Sequence, residues 1–203
     1  MDEDQIMGTK IFSLLEKHMP VNTGGVFVEI GSDRGEGSTR YLANLAKTHG
    51  TRLISVDISD HAQRLHQHDP IDNVEFVIET GSAWAKSFAQ THTKIALLYL
   101  DNFDYMYDIK DADTHAITQR QIQDYARRGI VMSNEHCQVE HMQQLLALYG
   151  SFDQDTVIMF DDTYKFNDCW IGKCGPCVTY LLCQGYEVLE WTTDCGMIMK
   201  KKH

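Results

Sequence analysis

At 203 residues with 43% hydrophobic content, the chain is long enough to bury a substantial core and reads as one domain, 1–203. The formal net charge is −11, and the basic residues are scattered apart from Lys200-Lys201-Lys202, which argues against nucleic acid as a partner. No apolar run nears the roughly 18 residues that span a bilayer, and the start Met1-Asp2-Glu3-Asp4 is the reverse of a signal peptide's basic one; the expectation is a cytoplasmic protein with no membrane partner, its six cysteines thiols rather than disulfides.

In chain order, Ile6, Ile11, Leu14 and Leu15 form a helical stripe that stops before Pro20, predicting an amphipathic helix over 3–18 within an N-terminal segment 1–20. Val26-Phe27-Val28-Glu29-Ile30 is almost wholly apolar, as expected of a strand covered on both faces of a parallel sheet. The turn that follows, Gly31-Ser32-Asp33-Arg34-Gly35-Glu36-Gly37-Ser38, matches neither the dinucleotide fingerprint nor the phosphate loop. Its glycines allow positive φ and let a ligand approach backbone N–H groups at a helix start, so Gly31, Ser32, Asp33, Gly35 and Ser38 are candidate cofactor contacts. Glu29 would repel a pyrophosphate but suits the amino group and sulfonium of S-adenosylmethionine, and Glu-x-Gly-x-x-x-Gly resembles the first motif of Rossmann-like methyltransferases.

A helix from Ser38 to Lys47 precedes a second strand, Leu53 to Val56, ending in Asp57 about 20 residues beyond the turn, where a carboxylate can take both ribose hydroxyls. Val74 to Ile78 is a third strand, and Gly81-Ser82-Ala83-Trp84 opens a helix at the place where adenine would be cradled, which nominates Ser82. Ile95 to Leu100 is a fourth, ending in Asp101, which the switch-point rule turns toward the ligand. Residues 102–133, rich in Asp104, Tyr105, Tyr107, Asp108, Asp111 and Asp113, read as an inserted, partly helical lid. Ser133 caps a helix from Asn134 to Tyr149; Val157 to Phe160 is the fifth strand, ending in Asp161-Asp162; Tyr186 to Trp191 and Met197 to Lys200 pair as an antiparallel hairpin. The fold class is therefore α/β, a Rossmann-like doubly wound seven-stranded sheet with a C-terminal antiparallel hairpin.

Asp101, Asp161 and Asp162 end neighbouring strands on one edge of the sheet, and an oxygen-only set of converging carboxylates suits Mg²⁺. Together with Glu29-Ile30-Gly31 and Asp57 they resemble the Mg²⁺-dependent O-methyltransferases of the catechol type, and more closely the sugar and macrolide O-methyltransferases whose fifth strand ends in Asp-Asp. The resemblance covers about residues 22–200. It implies that Glu29, Gly31, Ser38 and Asp57 hold S-adenosylmethionine, that Asp101, Asp161 and Asp162 bind metal, and that the acceptor is a small hydroxylated molecule. The catechol enzymes carry a lysine three residues past the fourth-strand Asp, where this chain has Asp104. Asp104 is thus a candidate general base facing a metal-polarised hydroxyl, with His136 the alternative on intrinsic pKa. Two other readings remain: a nicotinamide-nucleotide oxidoreductase on a similar sheet, and a catalytically silent S-adenosylmethionine-binding protein. A homodimer is compatible with the sequence.

Cys174-Gly175-Pro176-Cys177 has the thioredoxin spacing at a helix start, which would lower a thiol pKa. A thioredoxin domain needs a later cis-proline, yet none of the 26 residues after Cys177 is proline. Cys169, Cys174 and Cys177 have the spacing of an iron–sulfur loop, but Cys183 belongs to an apolar helix face and Cys195 to a turn. His136 and His141 are five apart, a poor spacing for a shared metal.

Overall fold

The structure, a computed structural model, describes residues 9–20, 24–35, 37–106, 112–193 and 195–202. Its centre is strand β1 (Val26–Ile30), flanked by β2 (Leu53–Asp57) and β4 (Ile95–Leu100). With β3 (Val74–Ile78), β5 (Val157–Phe160), β8 (Tyr186–Trp191) and β9 (Met197–Lys201) they form one seven-stranded sheet in the order β3-β2-β1-β4-β5-β9-β8. The first five strands run parallel; β9 pairs antiparallel with β5, Phe160 opposite Met197, and β8 pairs antiparallel with β9. The doubly wound sheet and terminal antiparallel pair are as the sequence predicts.

The apolar alternation of the strands feeds two core layers. Val28, Ile30, Leu98, Leu100, Ile158 and Phe160 pack against Trp84 and Phe88 of α4 (Gly81–Ala89), Leu145 and Leu148 of α6 (Asn134–Leu148), and Val178 and Leu181 of α7 (Gly175–Cys183). On the other face Phe27, Leu97, Val157, Met159 and Ile198 meet Ile11, Phe12 and Leu15 of α1 (Thr9–Leu15) and Leu42 and Leu45 of α2 (Ser38–Thr48). The order of strands reverses between β1 and β4, so the crevice for a ligand lies at their C-terminal ends.

Three features differ from expectation. The N-terminal helix spans Thr9–Leu15 among the described residues, and its expected first turns, 3–8, lie outside them. In segment 102–133, Tyr107, Asp108 and Asp111 also lie outside the described residues, and Ala112–Arg127 is one 16-residue helix, α5, a longer regular element than the reading of a partly helical lid specified. Between Asp162 and Lys173 stands an unforeseen two-stranded hairpin, β6 (Thr163–Phe166) with β7 (Cys169–Gly172). A short helix, α3 (His61–Leu65), follows β2. Ser133 does cap α6, its hydroxyl accepting the His136 N–H at 3.1 Å.

Candidate active site

The sheet's C-terminal edge opens into a cleft of about 850 Å³, within the range of small-molecule and cofactor sites. Its floor is the glycine turn. Gly31 has φ +104°, and a Cβ there would sit 2.4 Å from the Asn102 backbone nitrogen, so only glycine lets the end of β1 lie against the chain leaving β4. Asp57 ties this turn to β2: its Oδ2 accepts the N–H groups of Ser32 and Asp33, both at 3.0 Å, and its Oδ1 accepts that of Ser59 at 2.8 Å. Gly31, Ser32, Asp33, Gly35, Ser38 and Asp57 all line the cleft.

Glu29 does not line it. The carboxylate is fully buried beneath the turn and accepts three hydroxyls, Ser38 at 2.6 Å and Thr39 and Ser55 at 2.7 Å each. Burial pushes its pKa up to about 7 against the pull of those hydroxyls, with Asp101 adding repulsion. The expectation of a direct contact between Glu29 and the donor's cationic groups is corrected: Glu29 holds the start of α2 and reaches the cleft only through Ser38. His66, assigned nothing from sequence, supports the turn from the other side, with Nε2 3.0 Å from the Gly35 carbonyl and its ring stacked on Phe76.

At the far end of the floor, Ile58, Gly81 and Ser82 line the cleft, as does Glu140 of α6. Glu140 Oε1 accepts the Ser82 N–H at 2.8 Å and a Gln144 side-chain N–H at 3.0 Å. Ser82 is therefore at the cleft, with its N–H held by a carboxylate from a distant helix that no local motif announces. Trp84 is core, stacked on Phe88.

Where β4 and β5 end, the site is acidic. Asp101, Asp161 and Asp162 each present a carboxylate oxygen within 4.8 Å of the others, as the strand-end pattern predicts. A residue that sequence reasoning missed sits among them. Lys173, which follows β7, is buried and places its Nζ 2.7 Å from Asp101 Oδ1 and 3.0 Å from Asp162 Oδ2. Gly172 makes that approach, with φ +93° and no Cβ to collide with the Asp162 carbonyl, 2.0 Å from where it would stand; the Lys173 N–H then bonds the same carbonyl at 3.0 Å. Burial lowers the lysine pKa, but Asp101, Asp162 and Asp161 outweigh it and hold the ammonium charged well above its ordinary range. Burial, then the Asp101 charge, push the Asp161 pKa well above the ordinary carboxylate range, with Lys173 pulling the other way. Asp101 and Lys173 line the cleft, whereas Asp161 and Asp162 are not among its lining residues.

These residues do not fit a divalent cation as placed. Mg²⁺ needs carboxylate oxygens free to close an octahedron at about 2.0–2.1 Å, and the Lys173 ammonium already takes the facing oxygens of Asp101 and Asp162.

Asp104 lines the cleft beside this group. Phe103, with φ +61°, turns the chain back, and the Asp104 N–H donates to the Tyr125 hydroxyl at 2.9 Å. Burial raises the Asp104 pKa, only partly offset by Lys173. His136 is exposed, its Nδ1 against the Val131 carbonyl at 2.8 Å, and is not among the cleft residues; the alternative base is thus displaced from the site. α5 closes one side with Gln121, Asp124 and Tyr125.

The profile of a family described as a methyltransferase domain matches residues 28–132, just over half of the chain and including the turn, Asp57, Ser82, Asp101 and Asp104. The chain belongs to this methyltransferase-domain family. That sets aside the oxidoreductase reading. No curated protein matches the sequence. Among solved structures, the TDP-rhamnose 3'-O-methyltransferase CalS11 of calicheamicin biosynthesis has a TM-score of 0.54 at 13% identity, covering 98% of this chain and 80% of its own. An rRNA methylase from Streptococcus thermophilus has 0.52 at 8%, covering 96% and 95%. Fibrillarin from Aeropyrum pernix, in complex with natively bound S-adenosyl-L-methionine, has 0.50 at 12%, covering 94% and 72%. At such identities the likeness is one of fold.

The methyltransferase buries its cysteine pair, and neither thiol lines the cleft. Pro176 does start α7 after Cys174, but both Cys174 and Cys177 are fully buried, and burial raises the Cys174 thiol rather than lowering it.

Proposed function

We propose that the chain is an S-adenosylmethionine-dependent O-methyltransferase acting on a small hydroxylated molecule. The observation that carries this reading is a single cleft lined both by an Asp57-tied glycine turn and by Asp101, Asp104 and Lys173. A donor laid along the floor would put its ribose at Asp57, which has acceptor capacity left on Oδ1, and its adenine at Ile58, Ser82 and Glu140. The methyl group would then point toward Asp101, Asp104 and Lys173. There the lone pair of an acceptor hydroxyl forms the O–CH₃ bond, the S–CH₃ bond breaks with its electron pair staying on sulfur, and the hydroxyl proton passes to Asp104. A carboxylate whose pKa burial has raised is a better base than an ordinary one.

A net charge of −11 and a cleft of about 850 Å³ favour a small acceptor over a polyanion. The TDP-rhamnose for which CalS11 is named is of the class proposed. Magnesium, implied by the sequence resemblance, has the triad of carboxylates in its favour and Lys173 against it; no step above passes through it.

The test is formation of S-adenosylhomocysteine over a panel of hydroxylated sugars, phenols and polyketides. With the best acceptor, Asp104→Asn is expected to lose on the order of a hundredfold in kcat, the usual worth of a general base, while His136→Gln stays near wild type. Turnover by none of the panel, with cofactor still bound, would favour the silent binding protein; the reverse pattern in the two variants would move the base to His136.

A further inference from the structure

We propose that the Lys173 ammonium is the resident cation of the acidic cluster, standing where a divalent metal would otherwise bind, so that methyl transfer at this site is independent of metal. The inference rests on the cleft being a methyl-transfer site and deepens that reading. Three observations carry it.

The ammonium is within hydrogen-bond distance of one oxygen of Asp101 and one of Asp162, two of the three carboxylates that would otherwise hold a metal ion. It is also positioned by more than charge: Gly172 and the Lys173 N–H to Asp162 carbonyl bond fix the chain just before the side chain enters the cluster. Finally, of the four groups only Asp101 and Lys173 line the cleft, so the ammonium borders the space a ligand would fill, set deeper than the Asp101 carboxylate. An ammonium carries three donors. Two are directed to Asp101 and Asp162, and the third is the one an acceptor oxygen in the cleft would take. Such a donor in a water-poor site stabilises negative charge growing on the acceptor oxygen as its proton leaves for Asp104 and its lone pair closes on the methyl carbon. Sulfur keeps the pair of the broken S–CH₃ bond, and no other reactant is required.

The experiment uses Mn²⁺ as the probe, followed by the electron paramagnetic resonance of the free ion, on wild type, Lys173→Met and Lys173→Arg, with S-adenosylhomocysteine calorimetry and thermal unfolding on the same samples. Wild type and Lys173→Arg are expected to leave Mn²⁺ free, and Lys173→Met, with its carboxylates uncompensated, to bind it roughly tenfold or more tighter. Where an acceptor is in hand, wild-type turnover should be the same in excess chelator as in Mg²⁺, and Lys173→Met should lose on the order of a hundredfold in kcat even with Mg²⁺ added. Tight Mn²⁺ binding by wild type, or loss of turnover in chelator, overturns the proposal; should Lys173→Met not fold, the wild-type titration decides alone. Absence of S-adenosylhomocysteine binding would instead strike the cofactor reading and leave the Mn²⁺ result standing.

Discussion

A fully buried glutamate in the middle of a sheet is unusual, and Glu29 shows how its cost is met. Three hydroxyls accept the role of solvent, one from its neighbour strand and two from the first turn of the following helix. They do not meet it fully, since the pKa is still raised from 4.5 to about 7. A carboxyl whose folded pKa lies above its unfolded one binds more protons when folded, so its contribution to stability is present below about pH 4.5 and lost as pH rises to about 7. A shift of this size is worth on the order of 3 kcal/mol. Denaturant titrations of wild type and Glu29→Gln across that window should therefore diverge, with wild type losing stability relative to the variant as pH rises; parallel curves would place the proton elsewhere. The residue type was readable from sequence as significant, but its direction was not. Facing the turn and lying under it differ only in which hydroxyls the fold delivers, and Ser55 comes from another strand. Lys173 was hidden for the same reason, its partner Asp101 being 72 positions away.

The elements were legible where period and length agree. Strands such as Ile95–Leu100, every residue buried, leave little choice, and α6 announces itself by the Ser133 cap. The hairpin β6–β7 was missed although it carries a signal: Asn167 and Asp168 form its two-residue turn with φ +46° and +61°, the left-handed pair that tight hairpins need and that Asn and Asp tolerate. Its strands are four residues each, too short for alternation to register. This hairpin matters because it delivers Lys173. Gly172→Ala would force a Cβ against the Asp162 carbonyl, so a loss of about 1–3 kcal/mol is expected. Because the strain falls between Asp162 and Lys173, the variant should also lose turnover. Differential scanning calorimetry reads the first effect, and an unchanged Tm would mean that β7 yields without strain.

At the scale of the molecule, the doubly wound sheet is legible in the residues: five largely apolar strands, four of them followed or ended by an acid, and a terminal antiparallel pair. This order places the glycine turn of β1 beside the exit of β4 and so assembles one cleft from four stretches distant in sequence. The reach of sequence ended at what enters that cleft from the side: Glu140 from α6, Tyr125 from α5 and Lys173 after the hairpin. These are tertiary contacts without periodicity or spacing to betray them. The central claim is that the cleft is built for a methyl donor with a ribose at Asp57. Calorimetric titration with S-adenosylmethionine and, separately, with NAD tests it most directly. Binding of S-adenosylmethionine alone is expected, weakened roughly tenfold to a hundredfold in Asp57→Ala by loss of charge-assisted hydrogen bonds. Binding of NAD in its place, or an affinity for S-adenosylmethionine that Asp57→Ala leaves untouched, would contradict it.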